Sequence, residues 1–362
     1  MRVLLLCGGR SDEHQVSLES ARSVLQALAA GGAADGAGHD PSRLDVTPLV
    51  ITREGAAVSS LESRALLSLG AGATQAQAGS LARLDTPAAD SLTEAVMSAL
   101  TDGGFDVVFP LLHGPYGEDG SIQGLLKVMG LPFVGTDVLG SAIGMDKLTM
   151  KAVFAAAGIP QVRHAAVTRH AYAHDSGAVF AELAELHLPL FVKPANLGSS
   201  IGITKVDDVA DLSAAIELAL RFDRRVIVEE AALGARELEV AVLGNDLPQA
   251  SPVGEIRYQA GFYDYQAKYT DGRAELVIPA AVPDSVAEAA RALALRAFAH
   301  IDAAGLARVD MFYLPDGSLL LNEINTMPGF TRHSMYPKLW EAAGVTYPQL
   351  VTRLVELALE RR

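Results

Sequence analysis

The chain has 362 residues, 50% hydrophobic and 20% charged, which fits a globular protein with more than one core and excludes a disordered one. Its formal charge of −14, from 43 acidic and 29 basic residues, argues against non-specific nucleic-acid binding. Cys7 is the only cysteine, so no intrachain disulfide can form and a reducing cytoplasm suits the chain.

The opening MRVLLLCGG is too short for a membrane span and lacks a signal-peptide layout. No later segment reaches about 18 uninterrupted apolar residues, so no membrane helix is expected. Residues 3–7 read instead as a buried strand, followed by a polar loop at 8–14 and an amphipathic helix over 16–29. Residues 44–51 and 107–112 read as further strands. The latter runs into the loop His113-Gly-Pro-Tyr-Gly-Glu-Asp-Gly120, a helix over 121–129 and a short strand at 132–135. This alternation predicts a parallel sheet whose polar loops gather at the carboxyl ends of the strands. The Ala-, Gly- and Ser-rich stretches 31–38 and 54–104 carry no chemical signature.

From residue 139 the pattern changes. A helix over 146–157 precedes a strand at 190–193, which enters the loop 194–202. A helix over 209–220 leads to a strand at 226–229. A third unit begins at 236–242 and ends in a helix over 347–362. The loop Gly198-Ser199-Ser200-Ile201-Gly202 could cradle an anion or form a plain turn; it lacks the Walker spacing. Lys193, in an apolar strand, needs a partner, and a nucleotide phosphate is one candidate. Glu229 and Glu230, ending a strand, read by default as two solvated acids; receiving an adenine amino group or ribose hydroxyls is the other reading. Glu13 lies in a first helical turn, where an acid is also an ordinary cap. His113 is either a hydrogen-bonded loop histidine or a substrate group. Residues 261–269, GFYDYQAKY, surround one lysine with aromatics and read as a structural plug or a lid.

Strands at 307–314 and 318–324 flank Pro315-Asp316-Gly317. A two-residue loop at Asp316-Gly317 would set Asp310 opposite Glu323, with Asn325 on the same side. Two carboxylates and an amide oxygen there would suit Mg2+, which shares its shell with substrate phosphates. A solvated face carrying unrelated charges is the alternative.

Eight motifs occur together: GGRSDEHQVSLES (residues 8–20), HGPYGEDG (113–120), MDK (145–147), KPANLGSSIG (193–202), EEAALGARELEVAVLGN (229–245), FYDYQAKY (262–269), RVDMF (308–312) and NEINTMPGFTRHS (322–334). In this order they resemble the D-alanine–D-alanine ligases of the ATP-grasp superfamily, over nearly the whole chain. The resemblance implies an α/β fold of three domains. Residues 1–144 would form an N-terminal parallel-sheet, Rossmann-like domain with the first substrate site. Residues 145–233 would be the central ATP-grasp subdomain, and 234–362 the C-terminal one with the metal site and lid. It also implies ATP and two Mg2+ ions (Mn2+ being the alternative), D-alanine as substrate, and peptidoglycan precursor synthesis by a cytoplasmic homodimer, with no nucleic-acid or membrane partner.

By motif match, Lys147, Lys193 and Lys268 would meet ATP phosphates, with Ser200 a further nucleotide contact, and Glu229, Ala232 and Glu237 would meet adenine and ribose. Asp310, Glu323 and Asn325 would hold the metal, Glu323 bridging two ions. Arg308 would stabilise an acyl phosphate and tetrahedral intermediate, helped by the Gly329 backbone. Glu13 would bind the first ammonium with Ser199 and Tyr269 as partners, Ser334 would meet the second carboxylate, and His113 would lie near the substrates. Gln15 and Glu230 depart from the family pattern. Tyr269 in the lid favours an amine over a hydroxyl nucleophile; a D-alanine–D-lactate or D-alanine–D-serine ligase is the alternative among enzymes, separated by which second substrate is consumed. Gly8-Gly9-Arg10-Ser11 lacks G-x-G-x-x-G, which weakens an oxidoreductase reading. A non-catalytic ATP-binding regulator should have lost part of the metal set or Arg308.

Overall fold

A computed structural model describes residues 1–29, 44–68, 100–101, 103–198, 201–258 and 274–361. Strand β1 (Arg2–Gly8) is apolar on both faces because it is the middle of a parallel sheet, between β2 (Asp45–Ile51) and β3 (Val107–Pro110). Helices α1 (His14–Ala29) and α2 (Ser60–Ser68) follow β1 and β2, as the alternation predicts. The loops after β1 and β3 meet at the strands' carboxyl ends, where the Ser11 hydroxyl donates to the His113 carbonyl at 2.6 Å. Helix α3 (Ser121–Val128) forms as expected. The strand expected at 132–135 shrinks to one bridge, Val108 with Phe133, because Pro132 has no N–H to donate and Gly135, at φ +102°, turns the chain away.

Helices α4 (Val138–Met145) and α5 (Lys147–Ala156) meet at Asp146, whose carboxylate accepts from Thr149 N and caps α5. Then come β4 (His164–Thr168), α6 (Arg169–His174), α7 (Ser176–Leu183), β5 (Leu190–Pro194), β6 (Thr204–Val206), α8 (Leu212–Phe222) and β7 (Arg225–Glu230). The strands form an antiparallel sheet in the order β4-β7-β5-β6. Leu212, Ala215, Ile216 and Ala219 recur at helical spacing and pack α8 onto Val192, Val226 and Val228.

The third sheet holds β8 (Arg236–Gly244), β9 (Gln249–Ala250), β10 (Gly254–Tyr258), β11 (Ala274–Val277), β12 (Gly305–Tyr313) and β13 (Leu319–Asn325), in the order β11-β10-β8-β12-β13 with β9 beside β8. Helix α9 (Asp284–His300) covers one face, burying Leu238, Val240, Val309, Met311, Leu321 and Ile324. On the other face, alternate positions of β8 read Glu237, Glu239, Ala241, Leu243, opposite Phe312, Asp310, Arg308 and Leu306 of β12. The apolar end, Ala241, Leu243 and Leu306, shares one core with Val3, Leu5 and Val24 of the first unit. Trp340 of α10 (Met335–Ala342) and Leu350 and Leu354 of α11 (Tyr347–Glu360) join it. The charged end is where this face stops being apolar.

The hairpin is built differently from the sequence expectation. Its loop has three residues, Pro315-Asp316-Gly317, with Leu314 N bonded to Ser318 O and Asp316 Oδ1 accepting from Ser318 N. Tyr313 therefore faces Leu319, a register that would put Asp310 opposite Asn322. A β-bulge at Asn322 shifts it by one, so Asp310 does face Glu323 and Arg308 faces Asn325. The same bulge lets Leu321 and Ile324, three apart, both enter the core.

Candidate active site

Three loops converge on Glu13. It ends the β1–α1 loop, its carbonyl accepting from Ser17 N at 3.0 Å. A methyl placed on Gly114 would come within 2.7 Å of Glu13 Oε2, and one on Gly198 within 3.3 Å. Gly114 has φ +74°, so both space and backbone require glycine there. The carboxylate is thus wedged between the His113 loop and the glycine loop.

His113 is 3% exposed. Its Nδ1 donates to the Met327 carbonyl at 3.1 Å and lies 3.7 Å from Glu118 Oε1, while Nε2 is 3.3 Å from Ser20 Oγ. Burial alone would pull its pKa down, but Glu118 and Glu13 outweigh this and raise it above the ordinary value. Burial, with Glu13 nearby, raises Glu118 as well. Ser20 Oγ also accepts from Phe330 N at 3.3 Å. His113 and Ser20 therefore pin the first unit to the segment that follows β13. Both ring nitrogens have protein partners, which favours the loop-histidine reading.

The second sheet supplies a cationic wall. Glu229, far from being solvated, is buried: Oε2 lies 2.6 Å from Lys193 Nζ and Oε1 2.8 Å from Lys151 Nζ. Burial disfavours its charge, but Lys193 and Lys151 together hold it far below the usual carboxylate range. Lys193 is raised despite its burial, first by Glu229 and also by Glu323 and Glu237. Glu230 is half-buried and pairs with Arg163 (3.1 Å) and His187 (2.9 Å). Lys147 donates to the Leu197 carbonyl at 2.6 Å, under the glycine loop. The loop's base is fixed by Asp223, whose Oδ2 accepts from Asn196 N at 2.9 Å. Ala232 lines a cleft of about 440 Å3 with Glu230, Leu233, Leu314 and Leu320, between the two sheets.

The third sheet supplies the acidic wall. The Arg308 fork holds Asp310 through two bonds, Nε–Oδ1 at 2.7 Å and Nη2–Oδ2 at 2.6 Å, and its Nε lies 3.1 Å from Glu239 Oε2. Asn325 Oδ1 accepts from Met327 N at 3.1 Å. The Asn325 amide oxygen can accept a second bond beside the one from Met327 N. Among the described residues no three carboxylates, imidazoles or thiols converge as a ready metal cage. The donor set is two facing carboxylates and an amide oxygen, which fits an ion that completes its shell with water and phosphate.

Gly329 lies beside Ser334, whose hydroxyl would be 3.2 Å from a methyl at 329 and which accepts from Thr331 N at 3.1 Å. Ser199, Ser200, Lys268 and Tyr269, with the whole lid at 261–269, lie outside the described residues. Sequence reasoning missed two charged groups. Glu239 could have been found two positions after Glu237 on the same strand face. Lys151, 1% exposed, lies one helical turn after Lys147, inside an apolar run.

Family models for the D-ala D-ala ligase N-terminus and C-terminus match residues 2–136 and 153–356. The D-alanine–D-alanine ligase of Deinococcus radiodurans is 53% identical over 363 residues, covering 100% of this chain and 99% of its own. That of Geobacillus thermodenitrificans is 46% identical, covering 99% and 96%. Two solved ligase structures superpose on the chain, each 31% identical with a TM-score of 0.77. They are the VanG D-Ala:D-Ser ligase from Enterococcus faecalis, covering 99% of both chains, and the D-alanine–D-alanine ligase from Coxiella burnetii, covering 100% of this chain and 94% of its own.

Proposed function

The chain belongs to the D-alanine–D-alanine ligase family, and we propose that it joins two D-alanines with ATP across the gap between its cationic and acidic walls. The reaction is the ATP-dependent ligation of D-alanine to D-alanine for cell-wall synthesis. The observation that carries the site assignment is the position of Lys193, bonded to Glu229 in one sheet and within the field of Glu237 and Glu323 in the other.

In this reading Lys147 and Lys193 receive the ATP phosphates, and the cleft at Ala232 receives adenine with Glu237 toward the ribose. The Glu229 carboxylate acts through Lys193 instead of meeting adenine, since both its oxygens face ammoniums. Asp310, Glu323 and Asn325 would hold Mg2+, which when bound offsets charge on the transferred phosphoryl group. One D-alanine carboxylate attacks the γ-phosphorus, giving an acyl phosphate and ADP. The amine of the second D-alanine then attacks the carbonyl carbon, and phosphate leaves. Arg308, oriented by Asp310 and Glu239, and the Gly329 backbone face the charge that develops on oxygen. Glu13, with Ser199 and Tyr269, binds the first ammonium, and Ser334 meets the second carboxylate. Ser200 and Lys268 add nucleotide contacts, and His113 supports the site by joining its two halves.

We read the chain as units 1–144, 145–233 and 234–362; the strands of each sheet falling within one of these ranges supports that division. Among the described residues no helix is long and apolar enough to cross a membrane, and dependence on ATP supports a cytoplasmic location. The family resemblance supports a homodimer. The test is phosphate release from Mg2+-ATP with D-alanine alone, then with D-serine or D-lactate added, with products identified by mass. D-alanyl-D-alanine as the main product in both is expected. Mainly mixed product would move the chain to the depsipeptide or D-serine ligases, and no ATP turnover would overturn the reading.

A further inference from the structure

A lysine 1% exposed in the interior needs a reason to be charged there, and Lys151 has one partner close at hand, Glu229 Oε1 at 2.8 Å. Helix α5 aims it there: Lys151 is one turn beyond Lys147 and so lies on the same helix face. Glu229 in turn reaches Lys193 with its other oxygen at 2.6 Å. A carboxylate paired with one ammonium would leave a neutral couple. Shared between two, it leaves the buried cluster one positive charge in excess, at the end that opens between the sheets. Without a second cation, a carboxylate this buried would also lose much of what keeps it ionised.

We propose that Lys151 is a positioning residue for nucleotide binding. It keeps Glu229 anionic and shared, so that Lys193 is held at the strand end with charge left over for a phosphate. The proposal rests on the assignment of Lys193 to the ATP phosphates.

The experiment is calorimetric titration of the full chain with ADP, for wild type, Lys151→Met, Lys193→Met and the double variant, each checked by thermal unfolding. Lys151→Met should weaken ADP binding by about tenfold, the scale of removing one unit charge from behind the phosphate site. In the Lys193→Met background the same substitution should change affinity by less than about twofold, because its route to the nucleotide is gone. Lys151→Arg should restore most of the affinity. Lys151→Gln carries the same expectation as the methionine variant and replaces it if that protein does not fold. An unchanged affinity in Lys151→Met or Lys151→Gln, or an equal loss in both backgrounds, overturns the proposal while leaving Lys193 in place. No effect of Lys193→Met alone overturns the underlying assignment and the proposal with it.

Discussion

The two walls of the site solve the same problem, buried charge, in opposite ways. At the second sheet two lysines, one from β5 and one from helix α5, share one glutamate, whereas in the third one arginine serves Asp310 and Glu239, with Glu237 and Glu323 on the same face. Each wall is internally paired, so it can stay folded when empty, and each keeps a surplus of one sign. A surplus of positive charge suits phosphate, and a surplus of carboxylate suits a divalent cation. A metal-bound nucleotide complements both at once, which neither wall does alone.

Breaking the cationic wall should have the largest effect on stability. Glu229→Gln leaves two buried ammoniums without their counterion and should cost about 3–5 kcal/mol, measured by denaturant unfolding. The sign of its pH dependence follows from the lowered pKa. The contribution is complete above the unfolded value of about 4.3 and fades as pH falls below it, so wild type and variant should converge in acid.

Arg308→Lys keeps the charge of the acidic wall but loses the fork that orients it. Folding should be nearly unchanged while kcat falls by about 10²-fold, the scale of a misplaced charge stabiliser. Retention of kcat in that variant would remove Arg308 from the reacting oxygens.

The smallest effect concerns the pin between the units. His113→Gln should cost about 1 kcal/mol in stability. Because the fold raises the His113 pKa, the ionic share of this cost is complete below about pH 6.5 and fades as pH rises through the folded value. The variant's deficit should therefore be larger in mild acid than in alkali, and the opposite slope would contradict the assignment.

The sequence made the first sheet legible because its strands alternate with loops and helices, and each element is local. The pairing of Asp310 with Glu323 was also legible, though by a route the chain does not take. A three-residue loop and a bulge at Asn322 cancel to give the expected register, and nothing in the run LLLNEIN marks a bulge. Glu229 looked like a solvated acid because its partners lie 36 and 78 residues away, on β5 and α5. The core joining α10 and α11 to the first sheet was invisible for the same reason, since it connects the two ends of the chain.

The central claim, that the acidic wall reads the metal and the cationic wall reads the phosphates, is tested most directly by ATP affinity with and without Mg2+. Glu323→Gln should bind metal-free ATP about as wild type does and gain little on adding Mg2+. Lys193→Met should bind ATP weakly yet still respond to Mg2+. If Glu323→Gln kept the wild-type response to Mg2+, the division of labour between the two walls would be wrong.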